Sequence, residues 1–102
     1  MEEIVAEKEL IGVRSSGEKV PLRILIGRPY EASDVDWACP VAVEGLHKYL
    51  AEQHGVDSFQ ALALSQKLCR SILEGFVEDG GKILSADSGL EVSLDELFAS
   101  GI

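Results

Sequence analysis

From Val20 to Ile26 apolar and polar residues alternate. Val20, Leu22, Ile24 and Ile26 point one way, while Pro21 and Arg23 point the other. A period of two is the mark of a half-buried strand. Upstream, Glu3 to Arg14 is a β-rich run that stops at the turn cluster Ser15-Ser16-Gly17-Glu18, so the two runs are predicted to form a hairpin. The alternation fails around Glu7-Lys8-Glu9, which signals a bulge or an edge position. Gly27-Arg28-Pro29-Tyr30 closes the second strand, and the polar stretch to Asp36 reads as a loop. In a third strand Trp37, Cys39, Val41 and Val43 share one face, with Ala38, Pro40, Ala42 and Glu44 on the other. Pro40 has no N–H for a ladder and requires an edge, a bulge or a free N–H direction.

Residues 46–54 obey conflicting local rules. Leu46, Tyr49 and Leu50 have helical spacing and Ala51-Glu52-Gln53 has helical propensity, yet a fourth meander strand competes. The next segment is unambiguous. Asp57 or Ser58 can cap a helix, because either side chain accepts a hydrogen bond from an orphan N–H of the first turn. From Phe59 to Val77 the residues Phe59, Leu62, Ala63, Cys69, Ile72, Leu73, Phe76 and Val77 recur at three- and four-residue steps and are predicted to face a core. Gln60, Lys67, Ser71, Glu74 and Glu78 fall opposite them, and Leu64 and Leu68 widen the apolar arc beyond what one sheet face covers. Gly80-Gly81 ends the helix. Lys82 to Ala86 is predicted to be a short strand, and Ser93 to cap a last helix over residues 94–99.

Composition narrows the function classes. The 102 residues suit a single domain spanning 1–102, and an apolar fraction of 46% with 26% charged residues excludes wholesale disorder. Eighteen acids against nine bases leave a net charge of −9. Arg14, Arg23 and Arg28 are the only cations that gather on the sheet, with Glu18 and Glu31 nearby in sequence, so neither nucleic acid nor an anionic membrane is an expected partner. No apolar run approaches the ~20 residues of a membrane helix. Met1-Glu2-Glu3 lacks the features of a secretory signal, so a cytosolic location is expected. Cys39 and Cys69 both fall on apolar faces as small core residues, and a lasting bridge is not expected in the cytosol.

No motif assigns a reaction. Cys39, His47, His54 and Cys69 show no paired metal-ligand spacing, so no metal and no cofactor is expected. Neither cysteine is placed beside a histidine base, and Ser58 lacks a nucleophile-elbow context. The carboxylate pairs Asp34/Asp36, Glu78/Asp79 and Asp95/Glu96 lie in loops or at helix ends and read as solvated surface, whereas acid–base work needs one carboxyl buried. Gly80-Gly81 follows a helix, whereas a phosphate cradle precedes one. Catalytic residues are therefore not assigned. The best ligand-binding candidate is the aromatic group Trp37, Tyr30 and Tyr49, which with Arg28, His54 and Asp57 would line a pocket at the end of the sheet. The competing role for Trp37 is core packing under the helix.

Three pieces in this order and spacing carry a resemblance: Ile26-Gly27-Arg28-Pro29, then Asp36-Trp37-Ala38-Cys39-Pro40, then Gly55-Val56-Asp57-Ser58-Phe59-Gln60-Ala61-Leu62. Over roughly residues 5–85 the chain resembles a family of small bacterial domains of unknown function. The resemblance implies a bacterial protein with a sheet-plus-helix fold, favours strand over helix for residues 46–54, and carries over no activity. The expected fold is α+β: an antiparallel three- to four-stranded meander sheet, one long amphipathic helix packed on one face, then a short C-terminal strand and helix. Two functions remain open. One is a non-catalytic protein-interaction module, a homodimer or a binder of another protein, using an open sheet edge or Leu64 and Leu68. The other is a small-molecule-binding or enzymatic domain with its pocket near Trp37, His54 and Asp57.

Overall fold

The computed structural model describes residues 3–47 and 51–99. The fold is α+β. Strands β1 (Ile4–Val13), β2 (Lys19–Gly27), β3 (Tyr30–Ser33), β4 (Asp36–Glu44) and β5 (Ala51–Gly55) precede helix α1 (Ser58–Glu78), strand β6 (Lys82–Ser85) and the single-turn helix α2 (Leu94–Leu97). All pairings are antiparallel.

Register fixes the strand order. Val41 pairs with Ile26 of β2 on one side and Ala51 of β5 on the other, while Trp37 pairs with Glu31 of β3 and Gly55 of β5. Strands β2 and β3 therefore run end to end along one edge of β4, and β5 closes the opposite edge. The expected meander is β1, β2, β4 and β5. The segment read as a polar loop contains an unforeseen strand, β3, because Tyr30 and Glu31 find partners in Ala38 and Trp37. Strand β6 returns after the helix to pair with Leu10–Val13 of β1. That leaves the Ile4–Glu9 half of β1 without a β6 neighbour, and the broken alternation at Glu7-Lys8-Glu9 lies in this half. A register shift occurs nearby, between Ile4 and Ala6.

The core lies between α1 and one sheet face. Leu10, Leu22, Ile24, Ile26, Cys39, Val41, Val43 and Ile83 meet Ala61, Cys69, Leu73 and Phe76. Burying a side chain of this size contributes about 1.5–3 kcal/mol, so this cluster is the main source of stability. The helix is rotated relative to the stripe read from the sequence. Its buried line is Ala61, Ser65, Cys69, Leu73 and Phe76. Phe59 and Val77, expected in the core, are exposed, and so is Ala63. A spacing of three to four residues locates an apolar arc, but the phase at which the arc meets the sheet comes from packing. Ser65 enters the core because its hydroxyl has acceptors there, the carbonyls of Ala61 (3.0 Å) and Cys39 (3.2 Å).

The helix boundaries have local causes. Asp57 is the N-cap, its carboxylate accepting from the Gln60 N–H at 2.8 Å, while the Gln60 side chain accepts from the Val56 N–H at 2.8 Å. At the other end the Gly81 N–H reaches the Phe76 carbonyl and the Gly80 N–H that of Val77, with Gly80 at φ 95°. This Schellman geometry needs a residue free of Cβ strain. Ser93 caps α2 as expected, but α2 stops at Leu97 rather than running to residue 99, since Ala99 has φ 54°. Among the described residues no helix is long and apolar enough to cross a membrane.

Candidate functional site

The distinctive surface lies where the β3–β4 turn meets the β5–α1 connection. Pairing of Trp37 with Gly55 and of Ala38 with His54 fixes the local register. The pairing ends there, with Asp36 and Val56 the next residues of the two segments. Gly55 makes the approach possible. A Cβ there would lie 2.7 Å from the Ala61 backbone nitrogen and 3.0 Å from the Gln60 side chain, so only glycine lets the helix start so close to β5.

Alternation sends Tyr30, Asp36, Ala38, Glu52 and His54 to the face away from α1. Ala38 is nevertheless fully buried, flanked by Tyr30 and His54 as its cross-strand partners. Above it the Tyr30 hydroxyl donates to Glu52 Oε1 at 2.8 Å, spanning from β3 to β5. His54 Nδ1 hydrogen-bonds Asp36 Oδ2 at 2.6 Å, and Glu52 Oε2 lies 3.9 Å from Nε2. The hydrogen bond to the Glu52 carboxylate is the main reason the Tyr30 phenol is held above its ordinary range. This quartet ties β3, β4 and β5 into a rigid outer face. Its groups are half exposed, so they present charge and hydrogen-bonding capacity to solvent. Farther along the same face Arg23 reaches Glu7 (2.6 Å) on β1 and Glu44 (3.8 Å) on β4, covering the small and apolar residues Leu25 and Ala42.

Beside the quartet are three large apolar side chains that no core covers: Val35 (83% exposed), Val56 (72%) and Phe59 (81%). All belong to the two segments that meet here. The polar residues among them are acidic, namely Asp34, Asp36 and Asp57, and neither residues 29–47 nor residues 51–66 contain a lysine or arginine. All four arginines of the chain are ion-paired elsewhere.

The ligand-binding candidates do not converge. Trp37 packs against the core on the helix side, whereas His54 is on the opposite face, because they occupy adjacent cross-strand pairs. The two side chains therefore do not line one pocket. Asp57 is committed to the helix cap, and exposed Arg28, just past the C-terminal end of β2, holds Glu3 at 3.3 Å. Tyr49 lies outside the described residues. Of the proposed interaction pair, Leu68 packs onto the core cluster and Leu64 is half-buried. Residues 51–55 are strand, as the resemblance favoured, and alternation within that strand is the signal that would have put Glu52 and His54 on one face. Phe59 was missed because its helical spacing matched the core stripe.

Both cysteines are buried and unbridged. Burial, with Cys39 close by, pushes the Cys69 thiol up to about 11, so it stays protonated and unreactive. Among the described residues no group of three histidine, cysteine or acidic side chains can hold a metal ion.

Residues 6–92 match a family described as Domain of unknown function (DUF6968). The chain belongs to that family. Among the described residues the match takes in strands β1 to β6, apart from the first two residues of β1, and the long helix, so the β3–β4 turn and the β5–α1 connection are part of the DUF6968 domain rather than additions to it. No curated protein and no solved structure matches the chain.

Proposed function

We propose that this DUF6968 domain is a non-catalytic interaction module whose acid-rimmed apolar end docks a basic protein. One observation carries the reading: Val35, Val56 and Phe59 are each largely exposed on the two segments that the register of β4 and β5 brings to one end of the sheet, and the ionisable residues of those segments, Asp34, Asp36 and Asp57, are all acidic. Contiguous exposed apolar side chains cost solubility, and a polar rim around them is the arrangement of a docking site. The partner's chemistry follows from the rim. Two copies of this chain meeting here would bring two acidic rims together, so the surface favours a different protein with apolar residues framed by lysine or arginine. The Tyr30–Glu52 and Asp36–His54 hydrogen bonds support the role by holding the flanking strands in one shape before binding. The same acidity disfavours nucleic acid and anionic membranes. The two free thiols fit a reducing compartment, and the proposed location is a bacterial cytoplasm.

The test compares wild type with the double variant V56S/F59S as bait in lysate of the native host. Both side chains are exposed, so the variant keeps its fold, checked by circular dichroism. Wild type is expected to retain a basic protein that the variant loses, with retention falling as salt rises. Retention of the same protein by both baits would refute the surface.

A further inference from the structure

A second feature lies on the helix side, away from the acidic end. Helix α1 packs mainly over β4 and β5. The β1–β2 part of that face is instead approached by the chain around α2, and a groove of about 540 Å³ remains between them. Its floor includes Ala6, Ile24, Ile26 and Phe98. Its rim carries Lys8 from β1 and Lys67 from α1. The volume falls within the roughly 300–1,000 Å³ typical of small-molecule sites.

The groove lining holds three cations, Lys8, Lys67 and Arg70, against one acid, Glu7. In a chain of net charge −9, two lysines from different elements converge on one apolar groove, and neither has an ion pair among the described residues. The neighbouring acids are already engaged: Glu7 by Arg23, and Glu74 and Asp95 by Arg70. An inward-facing lysine on an exposed strand also guards against edge pairing, which would explain Lys8 alone. It leaves unexplained why a helix residue sets a second cation at the same groove.

We infer that this groove binds a free aliphatic carboxylate, its chain on the apolar floor and its head group between Lys8 and Lys67. The apolar floor accounts for the chain and the two lysine ammonium groups for the anion.

The experiment is an NMR titration of the full chain with sodium decanoate below its micelle concentration, with decanol and decyltrimethylammonium as equal-length controls. Decanoate is expected to give saturable shifts confined to residues 6–8, 66–70 and 97–99. Decanol should bind about tenfold more weakly, the scale of a lost charge-assisted hydrogen bond. The ammonium compound should not bind. The variant K8Q/K67Q, altered at two exposed side chains, should reduce decanoate affinity to that of decanol, while V56S/F59S leaves it unchanged. The inference is overturned by a lack of saturable shifts, by decanol binding as tightly as decanoate, by an unaffected K8Q/K67Q variant, or by binding to phosphatidylglycerol vesicles without binding to decanoate.

Discussion

Gly55→Ala adds one methyl group where β5 hands over to α1, and the structure specifies what that methyl meets. The new Cβ would sit 2.7 Å from the Ala61 backbone nitrogen, 3.0 Å from Gln60 Cβ and 3.0 Å from Gln60 Oε1. Gln60 can swing its amide away, at the loss of its hydrogen bond to the Val56 N–H, but a backbone nitrogen inside the first helical turn cannot move alone. Relief requires the helix start to shift from the sheet, an overpacking cost of about 1–3 kcal/mol. Restricting the unfolded chain returns about 0.4–1 kcal/mol, so the net destabilisation is about 1–2 kcal/mol. For a domain of this size that lowers the melting temperature by about 5–15 °C. Gly75→Ala is the matched control. Gly75 lies on the exposed side of α1 with nothing within 4 Å of the added Cβ, so the same substitution should stabilise by about 0.5–1 kcal/mol. Urea unfolding followed by Trp37 fluorescence measures both, and Trp37 pairs directly with Gly55. A Gly55→Ala midpoint equal to or above wild type would mean that the close approach of helix and strand is not what this glycine provides.

Ser65→Ala removes the buried hydroxyl that joins α1 to the Cys39 carbonyl, and should lower unfolding free energy by about 1 kcal/mol in the same assay. Leu73→Ala, at a fully buried position, should cost about 2–5 kcal/mol, and a smaller loss would show that the helix does not press on the sheet there. The raised Cys69 pKa means the folded state holds that proton more tightly than the unfolded chain. Its contribution is therefore complete below an ordinary thiol pKa near 9 and is lost as pH rises toward about 11. Stability measured from pH 8 to 11 should fall more steeply in wild type than in Cys69→Ala, and native thiols should resist a disulfide reagent that labels the unfolded protein rapidly.

The local features were legible because their causes are local. Period-two alternation marked β2 and β4, Ser15-Ser16-Gly17-Glu18 marked the first turn, and Asp57 with Gly80-Gly81 bounded α1, each through hydrogen bonds or φ preferences that a few neighbouring residues decide. Pairing between distant segments was not legible in the same way. Tyr30–Ser33 becomes a strand only because β4 offers it an edge, and β6 joins β1 from across the chain. The phase of α1 against the sheet decided that Ser65 is inside and Phe59 outside, although the apolar residue read as the better core candidate. The candidate site depends on those long-range choices, since the residues at the acidic end are an ordinary turn and an ordinary helix start until the register of β4 and β5 sets them side by side. Sequence alone determined the acidity and the elements other than β3. Tertiary structure decided which apolar side chains were left for a partner, because burial is a property of packed surfaces rather than of residue order.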